Sequence, residues 1–315
     1  MSLLLQIRNR LDATAARVKT LEQALIDNPG YPSIAANLES LVRIQSQLES
    51  QFLAAAAEAG IEVCRYRAFN DFESNRTADA FNAVVGFQRL VSVVYGALKH
   101  GIKQRATIPT AIAKETAFGF GYAFAGSIGV VLTIRADRNL FGESFLDDSV
   151  NTIFRMAKAE SSKEIVEFAD QLGPGPINAL YQWAEDNATH GLGADIEWRR
   201  GTEVRNSLLV QRQELWKLKE AIKTTSSERT EAVCIEGILQ AADASKLRFK
   251  LRPDGLREIK GTVETGVIDE RHTVGLPRRY IADLLKTTRT RYSTGEVKSK
   301  YHLLRLEKLG NSSLE

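Results

Sequence analysis

Apolar residues at Leu4, Ile7, Leu11, Val18, Leu21 and Leu25 recur at alternating spacings of three and four, with Thr14 filling the one gap. That rhythm predicts an amphipathic helix, and Asp27-Asn28-Pro29-Gly30 stops it. A second seam follows, Ile34, Leu38, Leu41, Leu48 and Phe52, interrupted by Gln45 and preceded by Ser33 in a capping position. Two helices of similar length across a Pro-Gly turn are expected to pack antiparallel. Each seam covers little more than one face, so this hairpin, residues 1–60, is expected to lie on the rest of the chain or to pair with a second copy. A homo-oligomer is therefore one expectation.

The pattern changes over 61–202. Residues 61–69 alternate as a strand does, and residues 78–99 carry Phe81, Val84, Val85, Val91, Val94, Tyr95 and Leu98 at helical spacing. Residues 116–135 predict a β-hairpin. In it Phe118, Phe120, Tyr122 and Phe124 share one face, small residues fill the other, and Ala125-Gly126-Ser127 turns the chain. The small face predicts close packing, most naturally by a helix. Ser144 with Asp147, and Ser161 with Glu164, mark two helix starts. A third helix covers 177–189, and residues 191–201 hold a strand with Ile196 and Trp198 on one side. The order predicts a central α+β domain with a mostly antiparallel sheet. Val204, Leu208, Leu215, Leu218 and Ile222 predict a connector helix over 203–223, closing in a polar linker that reaches 227.

From 228 to 310 the pattern is that of short strands. Residues 232–241 form one, and Leu247, Phe249 and Leu251 alternate with Lys246, Arg248, Lys250 and Arg252 in another. Pro253-Asp254-Gly255 turns into a strand over 256–261, others follow near 263–268, and residues 280–309 close as a long hairpin about Ser293-Thr294-Gly295-Glu296. Five or six short strands in so few residues predict a small SH3-like or OB-like barrel. The fold class is thus α+β, in three modules: helical hairpin, central domain and basic β-rich module.

Charge sharpens this division. The 315 residues carry 42 Lys and Arg against 39 Asp and Glu, a net charge of +3. Residues 231–309 hold 16 basic and 11 acidic residues, +5, which leaves 26 and 28, or −2, for the remainder. The positive excess belongs to the β-module, where it suits an acidic protein or a nucleic acid. The two cysteines, Cys64 and Cys234, lie far apart in apolar alternating segments and are expected to be buried thiols, which fits a reducing, cytoplasmic setting. No apolar run approaches the length of a membrane span, and no leader pattern opens the chain. No membrane partner and no cofactor are implied.

Candidate chemistry is sparse. Gly119 and Gly121 alternate with aromatic residues between strands, unlike a dinucleotide loop, which opens a helix. His100, His190, His272 and His302 show no metal-ligand spacing, and His100 and His190 precede glycines as helix-end residues do. Asp195 and Glu197 share a strand face, but Arg199 and Arg200 beside them favour ion pairing. Asp243 followed by Glu258 and Lys260 has the residue order of a metal-dependent nuclease, in which two carboxylates hold a divalent cation and the lysine stabilises developing charge. The stronger feature is the basic strand face, Lys246, Arg248, Lys250 and Arg252, with successive charges about 6.6 Å apart. Arg278, Arg279, Arg289, Arg291, Lys298 and Lys300 are expected to join it, with Tyr280, Tyr292 and Tyr301 placed to stack on bases. The sequence therefore predicts a non-catalytic interaction or scaffold protein that self-associates through the hairpin and binds a protein partner through the basic module. Nucleic-acid binding and nuclease activity are the alternatives.

Overall fold

The computed structural model describes residues 3–70, 81–124, 128–137, 144–255, 257–268 and 274–309. The chain divides into two compact units, Met1–Thr225 and Ser226–Glu315. It is mixed α+β, with two sheets and, among the described residues, eight helices.

The first unit opens with α1 (Leu3–Asp27) and α2 (Pro32–Glu58), the antiparallel pair that the heptad spacing predicts. A register that sets Leu11 against Leu48 also sets Ile7 against Phe52, Thr14 against Gln45, Val18 against Leu41 and Leu21 against Leu38. The two seams therefore cover one another. At the base, Ile7, Leu11, Leu48, Phe52, Ala55 and Ala56 pack with Val63, Tyr122 and Val131 of the sheet. Away from that base, Leu21, Leu25, Ile34, Leu38 and Leu41 are half-buried, and Ile26, Val42 and Ile44 are exposed. Tyr31, not Ser33, occupies the N-cap of α2 and makes no side-chain cap, because Pro32 at the first helical position already fixes the entry.

The sheet contains β1 (Ile61–Phe69), β2 (Gly119–Phe124), β3 (Ile128–Arg135), β4 (Gly193–Arg200) and β5 (Glu203–Val210). Its order is β2-β3-β1-β4-β5, antiparallel throughout. The remaining helices are α3 (Phe81–His100), α4 (Thr110–Glu115), α5 (Phe145–Ala157), α6 (Ser162–Leu172), α7 (Pro174–Thr189) and α8 (Arg212–Thr224). Tyr66 of β1, Phe87 of α3 and Trp183 of α7 meet at ring-centroid distances of 5.4 and 6.1 Å, and Trp183 Nε1 donates to Tyr66 Oη at 3.1 Å. By length and composition α3 is apolar enough to cross a membrane, and ten of its twenty residues are buried in protein. Ser144 and Ser161 cap α5 and α6, the latter in a full capping box with Glu164.

Two further sequence expectations for this unit fail for local reasons. Residues 203–210 are the edge strand β5 and not the start of a connector helix: Gly201, at φ +59°, and Thr202 turn the chain so that Arg200 faces Glu203. Leu208 and Val210 are then buried with the period of two that strands require. The aromatic positions of β2 do not share a face, because the pairing with β3 shifts between Phe120 and Tyr122. Phe118 stacks on Phe87 at 6.3 Å, whereas Tyr122 meets Phe52 of α2 edge-on at 5.2 Å. The glycine at this bulge is needed for space: a Cβ on Gly121 would lie 2.9 Å from the Val131 carbonyl oxygen and 3.3 Å from the Phe52 ring. The expected turn at 125–127, the helix start at 78–80, Leu256 and His272 lie outside the described residues.

The second unit consists of β6 (Ser226–Asp243), β7 (Arg248–Pro253), β8 (Ile259–Val263), β9 (Arg278–Arg291) and β10 (Glu296–Lys308). Each strand is hydrogen-bonded to two others, so the pairings close into a ring, β10-β8-β7-β6-β9, with β8 and β10 parallel and the other pairs antiparallel. Leu239, Phe249, Leu251, Val263, Ala282, Leu284 and Leu303 fill the interior. Three of these strands are long: β6, β9 and β10 pair together as a ribbon over 226–236, 281–291 and 296–307, one end of which contributes Ala282, Leu284 and Leu303 to the core. Cys64 is buried in β1, but Cys234 is exposed because it lies on the outward face of that ribbon, opposite Asp283.

Candidate partner-binding faces of the C-terminal module

Alternation along β7 separates charge from core. Phe249 and Leu251 point inward, and Arg248, Lys250 and Arg252 stand exposed outside. Across β8, Lys260 is paired directly opposite Lys250. Like charges set opposite one another on a sheet destabilise it, so this arrangement is not explained by folding. Lys260 has a partner in Glu258 at 3.1 Å, whereas Arg248, Lys250 and Arg252 make no ion pair with a described residue. Lys246 is not part of the face. It lies in the turn between β6 and β7, where Leu247 adopts φ 49° and the Asp243 carboxylate accepts from Ser245 Oγ at 2.7 Å and from the Lys246 amide at 2.9 Å. Those bonds hold the Asp243 carboxyl below the usual carboxylate range. An Asx turn interrupts the alternation that the sequence suggested.

A second basic set lies on the outward face of the ribbon. The registers place Arg291 between Ser226 and Glu296, Arg289 between Glu228 and Lys298, and Thr287 between Thr230 and Lys300. Glu228, Thr287, Arg289, Arg291, Glu296, Lys298 and Lys300 line a concavity of about 280 Å³. Glu296 pairs with Lys298 at 3.0 Å, and Arg289 Nε donates to Ser226 Oγ at 3.3 Å.

These two sets do not form the continuous face expected from the sequence. On β6, Arg252 lies opposite Ile238 and Arg289 opposite Glu228. Ten residues of strand separate them, a path of about 33 Å. Nor do the tyrosines join either set. Tyr280 and Tyr292 are buried, and Tyr301 packs against the interior. Alternation on β9 and β10 turns Tyr280 and Tyr301 inward and the cations at the alternate positions outward.

The nuclease residues are held apart. Asp243 faces Arg248, which faces Thr262, and Glu258 lies four residues from Thr262 along the chain. Two strand spacings of about 4.8 Å and four residues of about 3.3 Å separate the two carboxylates by roughly 16 Å, too far to share a cation. Among the described residues, no three His, Cys, Asp or Glu side chains gather as a metal site would require.

Two charged constellations were not legible in the sequence. On the outside of the module, His302 Nδ1 lies 2.8 Å from Thr262 Oγ1 and its Nε2 lies 2.8 Å from Glu264, whose carboxyl is held low chiefly by that bond. The parallel β8–β10 pairing brings these residues together from 38 to 40 positions apart. In the first unit, Glu62 of β1 is 2 % exposed. It accepts from Trp198 Nε1 at 3.0 Å and from Arg200 at 3.0 Å, and Arg200 also reaches Asp147 at 2.7 Å. Burial, and then the charge of Asp147, pushes the Glu62 carboxyl up; burial likewise raises Asp147. Asp195 and Glu197 form ion pairs, with Arg67 at 2.7 Å and Arg199 at 2.7 Å. His190 Nδ1 contacts the Asp186 carbonyl at 2.6 Å at the end of α7. A cleft of about 480 Å³ in this unit sets Lys158 and Lys217 against Glu160 and Glu214, and so carries no net charge.

No family model, curated protein or solved structure matches this chain.

Proposed function

We propose that the chain is a non-catalytic interaction protein whose C-terminal module, a small barrel of the SH3 or OB kind, holds an acidic protein partner against its outward basic strand face. One observation carries the reading: Lys250 and Lys260 stand opposite each other, flanked by Arg248 and Arg252, at a cost to the sheet and with three of the four cations lacking a described counter-ion. A carboxylate-rich surface relieves that repulsion on binding. The closed ring of pairings around an apolar interior supports the barrel assignment. Self-association through the hairpin is a second part of the proposal and has narrower support. The seams cover each other, so a second copy would dock on the exposed Ile26, Tyr31, Val42 and Ile44.

Fluorescence anisotropy of labelled poly-glutamate with the full chain tests the partner reading. Binding at low salt that weakens by about tenfold in R248S/K250S/R252S supports it, and no binding at low salt overturns it. Light scattering tests self-association: an oligomer that dissociates when Val42 and Ile44 become Asp supports it, and a monomer at every concentration removes it.

A further inference from the structure

The ribbon face of β6, β9 and β10 differs in chemistry from the β7 face. We infer that its groove, built from Arg289, Arg291, Lys298 and Lys300, seats the phosphate backbone of double-stranded nucleic acid without reading its sequence. This goes beyond the acidic-protein reading and stands on separate residues.

Three features carry the inference. First, the cations are arrayed in rows rather than scattered. Arg289 and Arg291 are two residues apart on β9, and Lys298 and Lys300 are two apart on β10; Arg289 lies opposite Lys298. The result is a two-strand grid with steps of about 4.8 Å across and 6.6 Å along. It follows the wall of a concavity of about 280 Å³, a shape suited to a rounded backbone. Four cations face two carboxylates, and one of those, Glu296, is already paired with Lys298.

Second, the cations are interleaved with hydroxyl groups. Ser226 and Thr287 share the rows, Thr230 Oγ1 lies 3.1 Å from Thr287 Oγ1, and Ser226 Oγ accepts from Arg289. Arginine, lysine, serine and threonine are the residues that contact phosphate and sugar, and such contacts position a duplex without specifying bases. On the β7 face the hydroxyl opposite Arg248, that of Thr262, is already engaged with His302 at 2.8 Å.

Third, the rings that a single-strand binder would use for stacking are turned away. Tyr280 and Tyr292 are buried, and Tyr301 packs on the interior. Single-strand modules draw much of their affinity from base stacking. A groove with cations and hydroxyls but no exposed ring gains nothing from unstacked bases, and so favours the higher charge density of a duplex.

The test is anisotropy with a short labelled duplex, a single strand of the same length and labelled poly-glutamate, each titrated with the full chain over a range of salt. The comparison is between wild type, R289Q/R291Q/K298Q/K300Q and R248S/K250S/R252S, with folding verified by circular dichroism. The expected result is duplex binding that is tighter than single-strand binding and indifferent to sequence. It should weaken at least tenfold in the quadruple variant, with the slope of log affinity against log salt shallower by about 3 to 4, since each phosphate contact contributes about 0.9. R248S/K250S/R252S should retain duplex binding. Tighter binding of the single strand, equal binding of poly-glutamate by the groove, or an unchanged affinity in the quadruple variant overturns the inference. Loss of poly-glutamate binding in R248S/K250S/R252S with no duplex binding by any form would sink the groove alone and leave the acidic-partner reading standing.

Discussion

The two units use charge in opposite ways. In the first, Glu62, Asp147 and Arg200 are drawn together with Trp198, and every carboxylate oxygen accepts from the indole or the guanidinium. In the second, Arg248, Lys250, Arg252, Arg291 and Lys300 stand outside a closed ring of strands and make no ion pair with a described residue. The first arrangement ties α5 to the sheet. The second contributes little to the fold and leaves its charge available. A count of charges does not separate the two; the pairing of each charge does.

That contrast is broken most severely at Glu62. Glu62→Ala leaves Arg200 beside a buried gap and should destabilise the first unit by about 3 to 5 kcal/mol, measured by urea unfolding. Polyanion binding at temperatures where the protein remains folded should be unchanged. Glu62→Gln keeps an acceptor for Trp198 and sharpens the point through pH. The folded carboxyls of Glu62 and Asp147 sit above their ordinary values, so the folded state holds more protons. Stability is fully present below those ordinary values and falls as pH rises from them through the raised folded values. In Glu62→Gln the part of that decline due to Glu62 should vanish.

The corresponding apolar test in the second unit is Leu251→Ala, a fully buried residue beneath the basic face. It should cost about 2 to 5 kcal/mol in the unfolding of that unit and leave the first unit's transition in place. Next in size is R248S/K250S/R252S, which should lower poly-glutamate affinity about tenfold while leaving thermal stability unchanged or slightly higher, because the Lys250–Lys260 repulsion is relieved. The smallest effect is expected from Lys246→Ser. This turn residue contributes a backbone amide to the Asp243 cap, so stability should change by no more than about 0.5 kcal/mol and binding by less than about twofold.

The parts of the fold that were legible in the sequence are those fixed by local periodicity. The heptads of α1 and α2, the alternation of β1, the capping serines of α5 and α6, and the long β9–β10 hairpin follow from spacing alone. What was not legible depends on single residues that shift a register. Gly121 inserts a bulge and splits the aromatic face, Gly201 turns a supposed helix into an edge strand, and Asp243 curls Lys246 out of its strand. The candidate site was half legible. Alternation placed Arg248, Lys250 and Arg252 outside, but it gave no sign that β6 is long enough to pair with Arg252 of β7 and Arg289 of β9 at positions about 33 Å apart. The Glu62 network and the Thr262–His302–Glu264 contacts were invisible because strands from distant segments bring them together.

The measurement that bears most directly on the central claim is the salt dependence of poly-glutamate binding by the full chain and by R248S/K250S/R252S, read by anisotropy alongside thermal unfolding. The account predicts that the wild type binds at about 50 mM salt, weakens steeply as salt rises, and loses about tenfold in affinity on substitution with no loss of stability. Equal affinity for the two proteins, or an affinity loss that tracks a drop in stability, would contradict it.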